Sequence, residues 1–323
     1  MKISIAMATY NGANYVLDQL HSFLDQTRKP DELVITDDCS SDETEFIVQK
    51  FSETAPFTVR FFRNPVNLGY SGNFDAALKR VSGDVVFLCD QDDVWFPEKI
   101  EHMCRLVELY PEALLLMNDA TLTDGRLNEV GLTKLGQIRS AGMPDEKFVM
   151  GCCCAVRKEL LDICLPIPDA IAAHDDWLAW FADGLQAKIV DETPLQFYRR
   201  HESNESQFIA NRTTKITRRL VFTHVIKEIF SGKGSEKDLR RLTQLSLFRD
   251  GIKRSLERAT VRRRLALANL LDRVEIRIAI LSMRAKVREK RLLPRIFSVF
   301  RIFLGGGYVN ANGLRSMLRD LVG

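Results

Sequence analysis

The chain has 323 residues, 46% apolar and 28% charged, a composition that can bury a core and excludes a disordered or fibrous protein. Its net charge of +3 hides a split: residues 1–211 carry 19 Lys and Arg against 34 Asp and Glu, a net of −15, and residues 212–323 carry 27 against 9, a net of +18. No apolar run reaches the roughly 18–20 residues of a membrane-spanning helix, and the N-terminus enters a strand-like run at once, so neither a span nor a secretory signal is expected.

Residues 1–120 alternate short apolar runs with amphipathic segments. Lys2–Ala8 predicts a strand, followed by the turn signal Asn11-Gly12. Val16, Leu17, Leu20, Phe23 and Leu24 mark one helix face. Leu33–Thr36 predicts a second strand, and Ser40 with Glu43 fits a capping box opening a helix through Phe46, Ile47 and Phe51. Further strands are predicted at Thr58–Phe62, Val85–Cys89 and Leu114–Met117, with a helix marked by Phe74, Ala77, Leu78 and Val81 and another opened near Pro97. Residues 121–150 read as a loop-rich insertion, Gly151–Val156 as a tight strand, 174–184 as a helix start, and 186–200 as two short strands broken at Pro194. The alternation predicts an α/β domain over 1–211, a mostly parallel sheet with helices on both faces, followed by a basic helical region over 212–323. Seven cysteines, three of them consecutive at 152–154, fit neither a disulfide framework nor a zinc site, so a reduced, cytoplasmic setting is expected.

In such sheets ligands bind beyond the carboxyl ends of the strands. That rule selects Thr9, Tyr10 and Asn11; Asp37 and Asp38; and Asp90, Gln91, Asp92 and Asp93. Carboxylates at 90 and 92, leaving a strand end, suit Mg²⁺ or Mn²⁺ held together with substrate phosphates; a plain acidic loop capping the next helix is the alternative. Asp37 and Asp38 precede a cap to which Ser40 and Asp42 mainly belong, and a carboxylate there can accept from a nucleobase or a ribose hydroxyl. His174-Asp175-Asp176-Trp177 places carboxylates at a helix start, where the dipole keeps them ionised for base chemistry, or simply caps the helix. In Tyr198-Arg199-Arg200-His201-Glu202-Ser203-Asn204, arginine suits pyrophosphate oxygens and histidine a metal; a solvated turn is the plain reading.

Together and in this order, these segments resemble the family 2 glycosyltransferases, which have the GT-A fold. The matching stretches are Ala-Met-Ala-Thr-Tyr-Asn-Gly-Ala-Asn-Tyr at 6–15, Asp-Asp-x-Ser-x-Asp at 37–42, Asn67-Leu-Gly-Tyr-Ser-Gly-Asn73, Asp90-Gln-Asp-Asp93 before Trp95 and Pro97, and Asp-Asp-Trp at 175–177. Tyr-Arg-Arg-His with Asn204 looks like the ending of bacterial rhamnosyltransferase-like members. The resemblance covers about residues 1–210. It implies that Thr9, Tyr10 and Asn11 form the nucleotide-binding end of the first strand, that Asp38 contacts the base, and that Gly69 and Asn73 lie beside the nucleotide. Asp90 and Asp92 resemble the metal-binding Asp-x-Asp, with His201 a further candidate ligand and Arg199 a candidate for the diphosphate. Asp176 matches the catalytic base because it directly precedes the tryptophan. The family's Glu-Asp is Asp175-Asp176 here, which leaves the choice between the two carboxylates open. The Gln-x-x-Arg-Trp of processive synthases is absent, which implies addition of one sugar or a few.

The implied reaction is inverting transfer of a sugar from a nucleotide-diphosphate donor to a saccharide acceptor, with Mn²⁺ or Mg²⁺ neutralising the leaving group. The setting would be surface-polysaccharide assembly, on a lipid-linked acceptor at the inner face of the cell membrane. A sugar-phosphate nucleotidyltransferase also uses an acidic metal site, but would show a Gly-rich basic loop that 6–15 lacks. A polybasic scaffold that merely binds nucleotide is the non-enzymatic alternative. In the basic region, Leu265, Leu267, Leu270, Leu271, Val274 and Ile278 recur at helical spacing, and 292–304 is rich in Leu, Ile and Phe. This pattern predicts either packing, within the chain or in a homo-oligomer, or peripheral contact with an anionic membrane. Nucleic acid is ranked out because no binding motif accompanies the charge.

Overall fold

The computed structural model describes residues 1–201, 213–218, 223, 234–288, 292–308 and 313–322. Glu202, Ser203 and Asn204 of the predicted ending lie outside the described residues, as do Asn211 and Arg212, where the composition changes. The chain forms two compact units, Met1–Arg218 and Arg219–Gly323.

The first unit is built on strands β1 Ile3–Thr9, β2 Glu32–Asp37, β3 Thr58–Arg63, β4 Val85–Cys89, β5 Val94–Trp95, β6 Leu115–Thr123, β7 Glu129–Thr133, β8 Cys154–Arg157 and β9 Lys188–Arg199. Its helices are α1 Val16–Leu24, α2 Thr44–Ser52, α3 Gly69–Leu78, α4 Lys99–Leu109, α5 Lys134–Ser140, α6 Lys158–Cys164 and α7 His174–Gly184. The sheet order is β3-β2-β1-β4-β8-β6-β9-β5, with β7 on β6. β3, β2, β1 and β4 run parallel, so all four carboxyl ends open at one edge. Beyond them β8 is antiparallel to both neighbours, and β6 and β9 are parallel to each other.

The continuous apolar runs of β1, β2 and β4 are buried because both faces are covered. Ile3, Ile5, Met7, Leu33, Ile35, Val85 and Phe87 form one core with Val16, Leu20 and Phe23 of α1, Val48 of α2, and Ile100 and Met103 of α4. α3 packs against β1 and β2 through Phe74, Ala77 and Leu78, all buried. This is the GT-A architecture expected from the sequence, an α/β sheet domain followed by helices.

Four local expectations change. Residues 121–150 are not mainly loop: β6 extends to Thr123, turns into β7 and is followed by α5, elements too short to show a period. Residues 188–199 are one strand, and Pro194 sits where the β6–β9 register slips, a place that tolerates a missing N–H. Gly151–Cys153 is a 3-10 turn and only Cys154 begins the strand. The capping box at Ser40 and Glu43 does not form: Asp42 Oδ1 accepts the Thr44 N–H at 3.1 Å, whereas Ser40 bonds to Asp37.

In the second unit, α8 Gly234–Arg258 and α9 Val261–Arg288 pack along one another, burying Phe248, Ile252, Leu267, Leu270 and Val274. Leu265, expected on that apolar face, is 71% exposed. α10 Leu292–Leu304 and α11 Leu314–Val322 complete the unit, with Val287, Val299, Ile302 and Tyr308 in a small core of their own. Arg284, at 1% exposure, forms a two-point ion pair with Asp320, which also accepts the Tyr308 hydroxyl at 2.9 Å. Among the described residues no helix is long and apolar enough to cross a membrane.

Candidate active site

The loops that follow β1 and β2 are stitched to each other by side chains. Thr9 donates to Asp37 Oδ1 at 3.0 Å, and Asp37 also accepts the Ser40 N–H at 2.8 Å. Asn11, in the left-handed region at φ 46, donates its N–H to Ser40 Oγ and accepts the Ser41 N–H, both at 2.8 Å. Asn64 at the end of β3 donates to both Asp38 Oδ1 (3.0 Å) and Asn73 Oδ1 (2.9 Å), and Asn73 Nδ2 donates to the Thr9 carbonyl at 3.1 Å. Asp38 Oδ1 accepts the Leu68 N–H as well. The six residues expected at the nucleotide therefore separate. Thr9, Asp38 and Asn73 are nearly buried and hold the loops in place. Tyr10, Asn11 and Gly69 lie nearer the surface, Tyr10 at 49% exposure and Gly69 at φ +72 with open space where a Cβ would stand.

At the end of β4 the acidic loop splits by depth. Asp92 Oδ2 lies 2.8 Å from His201 Nε2, a contact between residues 109 apart in sequence. The imidazole stacks on Tyr15 at 4.4 Å, which fixes its plane. Asp93 is fully buried: it accepts Gln196 Nε2 at 2.8 Å and the Arg199 N–H at 3.2 Å, and so anchors β9. Gln196 Oε1 in turn accepts from the buried Lys99, whose ammonium also reaches the Cys152 carbonyl at 2.9 Å. Burial first, then the Asp92 and Asp175 charges, push Asp90 up to about 7. Asp90, Asp93 and the Cys152 sulfur converge within 4.8 Å. Asp92 and His201 form a separate pair beside this group; carboxylate oxygens suit a divalent cation of the Mn²⁺ or Mg²⁺ type, and positive charge would relieve the crowding at Asp90.

Arg199, expected at the diphosphate, is 6% exposed and paired with Asp18 at 2.6 Å, with its guanidinium over the Tyr15 ring that stacks on His201. Arg200, just past β9, lies 3.3 Å from the Tyr198 hydroxyl.

The two carboxylates of α7 also differ. Asp175 accepts the Gly151 N–H at 3.0 Å and the Asp176 N–H at 2.9 Å, and its charge is felt at Asp90. Asp176 is raised to about 6 by burial and by Asp175, partly offset by Lys188. Three nearby residues escape sequence reasoning. Cys152 reads as a buried hydrophobe, yet its sulfur lies within 4.8 Å of carboxylate oxygens of Asp90 and Asp93. Lys134, in the supposed insertion, is 3% exposed with its ammonium 5.6 Å from the Tyr198 ring. Tyr15 carries no signal beyond its place in the first motif.

The sequence model of glycosyl transferase family 2 matches residues 4–163. Residues 4–163 belong to this family. An uncharacterized glycosyltransferase of Nostoc sp. is 29% identical over 67% of this chain and 70% of its own. The dTDP-rhamnosyl transferase RfbG of Shigella flexneri is 28% identical over 62% of this chain and 73% of its own. Among solved structures, S. aureus TarS 1-349 in complex with UDP-GlcNAc superposes with a TM-score of 0.53 at 18% identity, covering 85% of this chain and 90% of that one, a likeness of fold. The chain is thus a glycosyltransferase, which sets aside the nucleotidyltransferase and scaffold alternatives. The family match ends before Asp175, Asp176, Arg199 and His201.

Proposed function

We infer that this family 2 glycosyltransferase carries out metal-dependent, inverting transfer of a sugar from a nucleotide-diphosphate donor to a saccharide acceptor. The observation that carries the reading is the approach of Asp92 and His201 to 2.8 Å at the carboxyl end of β4. Asp90, Asp92 and His201 would hold the cation, which when bound neutralises charge on the departing diphosphate. Tyr10, Asn11 and Gly69 would line the nucleotide with Asp38 beneath them, and Arg199, near the Tyr15–His201 stack, would offer its guanidinium toward the diphosphate. The base must face the anomeric carbon, next to the cation site. Asp175 accepts the Gly151 N–H, one residue before the Cys152 whose sulfur lies within 4.8 Å of the Asp90 carboxylate, so we place the base there and assign Asp176 a supporting charge. Removal of the acceptor proton by Asp175 on one face and departure of the diphosphate on the other inverts the anomeric centre, with no covalent intermediate.

The acceptor class and the setting rest on the relatives. WfgD of Escherichia coli, 35% identical over 31% of this chain and 38% of its own, is named a UDP-Glc:alpha-D-GlcNAc-diphosphoundecaprenol beta-1,3-glucosyltransferase. The acceptor in that name is a lipid-linked saccharide, and we extend that class to this chain, in surface-polysaccharide assembly at the inner membrane face. A panel of nucleotide sugars, with and without Mn²⁺ or Mg²⁺, tests the reading by thermal shift and transfer. One donor should stabilise the protein only with the divalent ion, and Asp92→Ala and His201→Ala should each abolish that dependence. Full transfer in excess EDTA would remove the metal from the mechanism.

A further inference from the structure

The loop after β1 and the acidic loop after β4 are joined by one side chain that has no place in the chemistry above. Gln91 Oε1 accepts the Tyr10 N–H at 2.9 Å, and Gln91 Nε2 donates to the Tyr10 carbonyl at 3.0 Å. Backbone pairing between β1 and β4 ends at Met7 and Cys89. Beyond it the two chains diverge, and the Gln91 amide, which offers one acceptor and two donors, bridges them by pairing with a peptide group as a neighbouring strand would.

Gly12 closes the arrangement from below. A Cβ at Gly12 would lie 2.1 Å from Gln91 Oε1 and 2.5 Å from its carbonyl carbon, so only glycine leaves room for the amide. Gly12 cannot move aside easily: its N–H donates to Thr44 Oγ1 at 2.8 Å, and its carbonyl accepts from the Tyr15 and Val16 N–H groups at the start of α1. The amide is therefore held in a slot whose floor is tied to two helices.

We propose that Gln91 is a positioning residue that locks the nucleotide-side loop at Tyr10–Gly12 to the cation-side loop at Asp90–Asp92, so that the two ends of the donor are gripped at one fixed spacing. The proposal rests on the donor reading above. It explains why an amide stands between two aspartates: a glutamate in its place would repel Asp90 and Asp92 and lose the donor to Tyr10, and a shorter side chain would not span the gap.

Two measurements test it. In the ligand-free protein, amide hydrogen exchange of the Tyr10–Gly12 segment should rise at least about tenfold in Gln91→Ala, with the body of β1 unchanged. Unchanged exchange there overturns the lock whatever the donor is. With the donor found in the panel, Gln91→Ala should raise donor KM about tenfold and leave kcat within about twofold, as loss of two ground-state hydrogen bonds predicts. Gly12→Ala should give the same split by evicting the amide, and the double variant should be no worse than either single one, because both break one contact. Gln91→Glu, which sets a carboxylate oxygen against the Tyr10 carbonyl and adds charge beside Asp90 and Asp92, should be no better than Gln91→Ala. A wild-type KM in Gln91→Ala, or effects that add in full in the double variant, would sink the proposal. A wild-type chain that binds no nucleotide sugar would sink the donor reading instead, and leave the exchange result to judge the lock.

Discussion

Asp175 and Asp176 are neighbours in sequence with different work available to them. Asp175 is oriented by two backbone N–H groups. Asp176 sits in a less polar place that raises it to about 6 from an ordinary 3.8. Asp175→Asn should therefore retain donor binding and lose most turnover, and Asp176→Asn should keep a substantial part of it. The reverse pattern in single-turnover assays would move the base to Asp176. The raised carboxyl also has a stability consequence. Between about pH 4 and 6 the native state holds a proton at Asp176 that the unfolded chain releases, so stability falls as pH rises through that window. Asp176→Asn should be more stable than wild type at pH 8, by up to about 3 kcal/mol, and the gain should vanish below pH 4. Thermal melts of both proteins from pH 3.5 to pH 8 check the sign. A variant no more stable than wild type at pH 8 would mean that the native carboxylate is better solvated than its burial indicates.

At the scale of elements, α10 has two apolar faces. Val299 and Ile302 are buried, whereas Leu293, Phe297, Phe300 and Leu304 stand 71%, 77%, 52% and 83% exposed at helical spacing on the other side. Large exposed aromatics in a row mark a surface meant to be covered, here by the acyl boundary of a membrane in our reading. Val299→Ser should lower stability by about 2 kcal/mol, and Phe297→Ser with Phe300→Ser should leave the melt unchanged while reducing flotation with anionic vesicles. Unchanged flotation together with loss of a dimer in light scattering would assign the stripe to self-association. The same helix shows what a sequence can and cannot reveal. Its apolar content is legible at 292–304, but not the division into two faces, because both carry the same residue types. Likewise the strands β1, β2 and β4 and the site residues at their ends are legible, since continuous apolar runs and motif spacing are local properties. Lys134, Cys152 and the pairing of Arg199 with Asp18 are not, because each depends on a long-range approach: β9 beside β6 for Lys134, β8 beside β4 for Cys152, and the end of β9 against α1 for Arg199.

At the scale of the molecule, charge is segregated between a −15 segment and a +18 segment. Each Lys or Arg near an anionic surface contributes about 1 kcal/mol, and salt screens the attraction over about 8 Å at 0.15 M. Flotation with anionic vesicles should accordingly fall steeply as salt is raised from about 0.05 to about 0.5 M, and zwitterionic vesicles should float little protein at any salt. Salt-independent flotation, equal on both vesicle types, would point to the apolar stripe alone.

The contact between Asp92 and His201 also sets an order of assembly. Strand β9 is held by Asp93 and Gln196 at the same end where it delivers His201, so the Asp92–His201 pair of the proposed cation site forms only once that strand has docked. A nascent chain that has reached Ile163, with the whole family-matched segment in hand, would own half of its active site. Closing a loop of that length is slow and gains nothing until it is complete. On the proposed mechanism, the enzyme would gain its metal-holding pair and its catalytic capacity in one step, and a partly folded chain would have no means of cleaving the donor.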